Sequence, residues 1–149
     1  MAQFHCTSCG EVEEHDLVTL EACASCGATS VVNLEAQAAQ VAKANDAFRA
    51  AILSGGHPVY RGRAVCTQGV AAEGLDFVVR AQIAVAAFSE FTEGNDPYGD
   101  HTFGAVTVAD KTVWFKIDLY DESYSFGTDD PLDDARTRRV LTLLFPSEY

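Results

Sequence analysis

Four cysteines fall into two C-x-x-C-G knuckles, Cys6-Thr-Ser-Cys9-Gly10 and Cys23-Ala-Ser-Cys26-Gly27, with thirteen residues between Cys9 and Cys23. In each knuckle the chain must turn tightly for two thiolates to reach one ion. The following glycine permits the positive φ that brings backbone N–H groups toward the sulfurs. Four thiolates complete a tetrahedron around Zn2+ and leave no position for water, so the expected site is structural, with one zinc per chain in a ribbon over residues 1–33. Paired disulfides are the competing use of the same cysteines. Met1-Ala-Gln-Phe-His-Cys6 has neither the basic region nor the apolar stretch of a secretory signal, so a reducing cytoplasm is expected, and with it zinc. His5 and His15 are spare candidate ligands, His15 in a loop facing water. Cys66, beside Ala64 and Val65, is expected to pack as a small core residue.

A second set of chemical groups lies in the 93–101 loop and the strand after it. Asp96, Asp100 and His101, with Asp118 and Asp121, could converge as oxygen and imidazole ligands for Mg2+ or Mn2+, or supply a carboxylate–histidine acid/base pair, with Lys116 stabilising a developing anion. The same loop also has a structural use. Asn95-Asp96-Pro97 is a turn-forming triplet and Gly99 supplies a positive φ.

Charge narrows the partners. Ten Lys+Arg against 22 Asp+Glu give −12. Residues 1–33 hold five acids and no Lys or Arg, and residues 90–134 hold twelve acids against Lys111 and Lys116. Gripping phosphates needs cations, so direct nucleic-acid binding is not expected; a basic protein partner is. No apolar run is long enough to span a membrane. Oligomeric state is not legible.

The elements that must position these groups read as an α+β domain over residues 34–149: a small antiparallel sheet packed with about three helices, preceded by the ribbon. Asn33 caps a helix carrying Leu34, Val41, Phe48 and Ile52, which Gly55-Gly56 stops. Residues 59–67 read as a strand. Leu75 to Phe91 is a helix apolar almost all round, hence expected to be the most buried. Residues 103–108 and 112–120 read as antiparallel strands, with Tyr124 and Phe126 as a short edge. Pro131 opens a last helix whose buried stripe is Val140, Leu141 and Leu144. Within 112–120, Val113, Phe115, Ile117 and Leu119 alternate with Trp114, Lys116, Asp118 and Tyr120. The second set therefore stands on one face at about 7 Å intervals and is the expected partner-binding surface, with Asp96, Tyr98 and Asp100 beside it.

The stretches Phe91-Thr-Glu-Gly-Asn-Asp-Pro-Tyr-Gly-Asp-His-Thr-Phe-Gly104, Trp114-Phe-Lys-Ile-Asp118 and Thr137-Arg-Arg-Val-Leu-Thr142 resemble a bacterial family, domain of unknown function 3768, over residues 44–149. The resemblance implies a plasmid- or phage-associated context and brings no activity with it; the ribbon lies outside it. Three functions follow as expectations. The first is an acidic, non-enzymatic binding protein that docks on a basic partner as a nucleic-acid mimic or counter-defence inhibitor. The second is a small metal-dependent hydrolase built on the 96–101 loop with Asp118. The third is a zinc-ribbon accessory factor of nucleic-acid metabolism.

Overall fold

The computed structural model describes residues 2–17 and 19–149; Met1 and Val18 lie outside the described residues. The chain forms two compact units, Met1–Gln40 and Val41–Tyr149.

In the first unit, β1 (Ala2–Cys6), β2 (Val12–His15) and β3 (Val31–Asn33) form an antiparallel sheet in the order β2-β1-β3. Phe4 on the central strand is 2% exposed and meets the His15 ring edge-on at 6.0 Å. His15 also lies 3.1 Å from the Glu13 carboxylate, so it belongs to a strand and has partners there. Asn33 caps α1 (Leu34–Ala50) as its residue type predicts, its Oδ1 accepting the Ala36 N–H at 3.1 Å.

The second unit holds the rest of α1, two further helices, α2 (Gln68–Ala71) and α3 (Leu75–Ala86), and four strands: β4 (Gly62–Cys66), β5 (Phe103–Val108), β6 (Lys111–Tyr120) and β7 (Arg138–Leu144). The sheet order is β4-β7-β6-β5, with β5, β6 and β7 antiparallel and β4 parallel to β7. Ala109 and Asp110, both at positive φ (49° and 65°), join β5 to β6 in a two-residue hairpin whose backbone matches the twist of the strands. One face of the sheet supplies Val108, Val113, Phe115, Ile117, Leu141 and Leu143 to a core closed by Phe48 of α1, Val70 of α2, and Phe77, Ala81 and Val85 of α3. Cys66 is half-buried and packs against this core. The fold class is α+β.

Three expectations are corrected. Residues 131–144 are not a helix: 138–144 is β7, with Arg139, Leu141 and Leu143 inward in strict alternation. Its acidic prelude closes turns instead, the Asp133 carbonyl accepting the N–H groups of Arg136 and Thr137 at 3.1 and 3.0 Å. Next, α3 is shorter than 75–91 and far from fully buried. Phe77, Ala81 and Val85 form one stripe, while Leu75 is 79% and Ile83 52% exposed, because a helix lying on a sheet can bury only the stripe that faces it. Finally, residues 124–126 add no strand. The chain folds back after β6 through a single bridge, Tyr120 to Gly127, and Phe126 is 73% exposed.

Candidate functional site

The four knuckle cysteines come together. Each knuckle is closed by a glycine N–H donating to the carbonyl of the first cysteine, Gly10 to Cys6 at 2.9 Å and Gly27 to Cys23 at 2.8 Å, with the glycines at φ 81° and 75°. The four Sγ atoms lie within 4.8 Å of one another, and the Cys6–Cys26 and Cys9–Cys23 separations are both 3.7 Å. Sulfurs bonded at about 2.3 Å around a tetrahedral zinc stand about 3.75 Å apart, whereas a disulfide needs about 2.05 Å. All four cysteines are free thiols. The Cys9 N–H above all, then the Ser8 N–H and the neighbouring thiols, lower the Cys6 pKa to about 7 against the opposing cost of burial. Cys9 goes the other way. The Glu11 N–H favours its thiolate, but lost hydration and the thiols of Cys26, Cys23 and Cys6 push it up to about 12. A cation among the sulfurs would offset the mutual repulsion of neighbouring thiolates. The donor set has the geometry to hold a metal ion and fits a zinc ribbon.

The 93–101 loop is held by its own polar atoms. Asp96 Oδ1 accepts the N–H groups of Asp100 and His101, both at 3.1 Å, and Asn95 Oδ1 accepts the Thr92 N–H at 2.8 Å. The His101 ring stacks on Phe91 at 3.8 Å and 4°. Its Nδ1 is 2.9 Å from both Asp46 carboxylate oxygens, and Nε2 is 3.6 Å from Asp96 Oδ2. Burial raises the Asp100 carboxyl above the usual carboxylate range, although the Thr102 hydroxyl donates to it at 3.0 Å. Tyr98, 81% exposed, sits at the tip.

The sheet keeps this loop apart from the strand residues expected to join it. His101 stacks on Phe91, whose ring lies 6.4 Å from that of Phe115 on the core face of β6. Lys116 and Asp118 alternate with Phe115 and so stand on the opposite face, paired to each other at 3.2 Å. Among the described residues, the four cysteines alone form a group of three or more His, Cys, Asp or Glu at metal-holding distance. The ligand set imagined for Mg2+ or Mn2+ therefore does not gather.

Among the described residues, α1, α2 and α3 give their buried side chains to the core side of the sheet, and on the opposite face Leu144 beside Trp114 is 3% exposed. Trp114 stands there in edge-to-face contact with Phe103 at 5.2 Å and Tyr149 at 5.9 Å. Strand register adds Arg63 and Arg138 to the Trp114, Lys116, Asp118 and Tyr120 row, so this face is not acidic. Arg63 lies 3.8 Å over the Tyr124 ring. The acids collect where the chain leaves β6 after Tyr120. Asp121, Glu122, Asp129, Asp130 and Asp133, with one cation, Arg136, line a cavity of about 480 Å3. The Ser123 hydroxyl and the N–H groups of Ser125, Phe126 and Ser123 hold the Asp121 carboxyl below its usual range, so this group stays ionised.

Sequence reasoning missed the partners that α1 brings to the 93–101 loop and to the end of α3. Asn45 Nδ2 donates to the Asp100 carbonyl at 2.9 Å, and Arg49 donates to Val85 O, Phe88 O and Asp46 Oδ1 at 2.8–3.0 Å. The only local signal is Asp46 three residues before Arg49 on one helix.

No curated protein and no solved structure matches the chain. Residues 66–148, from the end of β4 through β7 and most of the C-terminal turn, match the family described as protein of unknown function DUF3768. That stretch is more than half of the chain and carries the loop, the aromatic strand and the acidic cavity, and the chain belongs to this DUF3768 family.

Proposed function

We propose that the protein is an acidic, non-enzymatic binding protein that docks on a basic protein partner in a bacterial cytoplasm, as a nucleic-acid mimic or inhibitor in a mobile-element context, with one structural zinc in its ribbon. The observation that carries this reading is the concave acidic cavity at the end of β6: five carboxylates to one guanidinium around about 480 Å3. A lysine or arginine side chain of a partner fits such a cup, and the half-exposed Tyr120 and Asp118 lead from it onto the aromatic face. Aromatic residues with polar tips, such as Trp114, are the usual anchors of interfaces.

A lysine-rich peptide titrated into the full chain should bind in a salt-dependent way, weakening as ionic strength approaches 0.1 M, where the screening length falls to about 10 Å. The triple variant Glu122→Gln, Asp129→Asn, Asp133→Asn should lose most of that affinity, and Trp114→Ala should cost a partner captured on the sheet face about 2 kcal/mol. Binding that survives the triple variant unchanged would overturn the reading. Duplex or single-stranded nucleic acid should give no mobility shift even at low salt, since too few cations serve any phosphate footprint; salt-dependent micromolar binding would instead favour the accessory-factor role. The hydrolase reading rests on one observation, the His101 ring held by Asp46. Hydrolysis lost by orders of magnitude in His101→Ala, with folding intact, would bring it forward.

A further inference from the structure

Two arginines are buried in the second unit, and they differ in one respect. Arg49, 3% exposed, uses Nε, Nη1 and Nη2 on three oxygens. Arg139, 0% exposed on the core face of β7, uses only Nε, which donates to Asn45 Oδ1 at 2.7 Å; Nη1 and Nη2 have no partner among the described residues. A guanidinium keeps its charge in proteins, and a buried charge with idle donors is unfavourable until an acceptor reaches it. Burial lowers the Arg139 pKa, and Asp134 and Tyr60 oppose that shift.

One neighbour of this group, Tyr60, belongs to the 55–61 segment. Residues 55–61 run from Gly55 and Gly56, both left-handed (φ 90° and 103°), to Tyr60, whose ring lies 5.3 Å from the guanidinium. His57 stacks on Tyr60 at 4.7 Å, and the backbone of the segment is fastened at its far end by the Arg139 N–H donating to Arg61 O at 2.9 Å. Two cavities adjoin the segment. Gly55, Gly56 and Gly62 help to line one of about 280 Å3, and Val59, Arg61 and Asp134 one of about 290 Å3.

We propose that Arg139 is the floor of a binding site for an oxyanion, a carboxylate or a phosphate, and that residues 55–61 are the lid over it. The idle Nη1 and Nη2 supply the paired N–H edge that planar oxyanions take in a bidentate manner. Two consecutive glycines free to rotate give the lid its hinge. The site is independent of the acidic cavity and takes a ligand of opposite sign.

The test is a titration of the full chain with sodium phosphate and, separately, sodium succinate against sodium chloride at matched ionic strength, read by thermal midpoint and by amide exchange of residues 55–61. A saturable rise in midpoint with slower exchange in 55–61 supports the site. Phosphate alone identifies a phosphate-bearing ligand, succinate alone a carboxylate, and both a general oxyanion receptor. Arg139→Met should abolish the response, and Arg139→Lys, which keeps the charge without the forked donors, should weaken it by about tenfold. If Arg139→Met does not fold, the lysine variant decides. No saturable response to either anion, or the same response in Arg139→Lys as in the parent chain, overturns the proposal.

Discussion

Cys23→Ser should remove the metal and unfold residues 1–33, while the unit Val41–Tyr149 melts as in the parent chain. The N-terminal sheet has strands of only three to five residues, and the buried apolar residues of residues 1–33, among the described residues, are Phe4 and the two cysteines Cys6 and Cys23. So small a core cannot offset the entropy of ordering the chain, and structural zinc in comparable ribbons contributes an apparent 10–16 kcal/mol, roughly, that is folding free energy. Cys23 is 4% exposed and accepts the Gly27 N–H on its carbonyl, so a serine there removes a ligand at the centre of a knuckle. Elemental analysis should give about one zinc for the parent and less for the variant, and amide exchange should lose protection in residues 1–33 only. Acidification should release the metal, because protons compete for the thiolates; the sign follows from metal binding only the deprotonated form. A variant that retains a full equivalent of zinc and a protected N-terminal sheet would sink this account.

The ribbon was legible because its constraint is local: four cysteines and two glycines within 27 residues. The alternation of β6 was legible for the same reason, since Val113, Phe115 and Ile117 declare a face without reference to any partner. β7 was not. Val140, Leu141 and Leu144 fit a helical stripe as well as Arg139, Leu141 and Leu143 fit an inward face, and only pairing to β6 and to the distant β4 decides between them. An arginine at an inward position hid the alternation further, because its polarity argues for water while its place is in the core. The candidate sites divide in the same way. The density of acids after β6 could be read from the sequence; their gathering into one cavity depends on the chain folding back at Gly127. His101 could be singled out, but its partner Asp46 lies 55 residues away on α1, and nothing local says that a sheet stands between His101 and Lys116.

Phe115→Ala should destabilise the second unit by about 3–5 kcal/mol, the cost of a buried aromatic truncation in a core that cannot collapse around it. The ring is 0% exposed, 5.3 Å from that of Phe88, 6.4 Å from that of Phe91 and 5.5 Å from the Arg49 guanidinium. Its slot exists because the cross-strand residue is Gly104: a Cβ there would come within 2.4 Å of the Phe115 ring and 2.8 Å of Phe88. No side chain opposite can therefore move in to fill the space, which argues for the upper part of the range. The loss also reaches past packing, since Phe91 carries the stacked His101 and Arg49 holds the carbonyls of Val85 and Phe88. In urea the midpoint should fall with little change in slope, and Phe115→Leu should lose much less, about 1.5 kcal/mol or under. Trp114, one residue earlier and half-exposed on the other face, supplies the internal control. Its truncation should weaken partner capture more than stability, and if Trp114→Ala proves as destabilising as Phe115→Ala, the face assigned to binding is instead a second core.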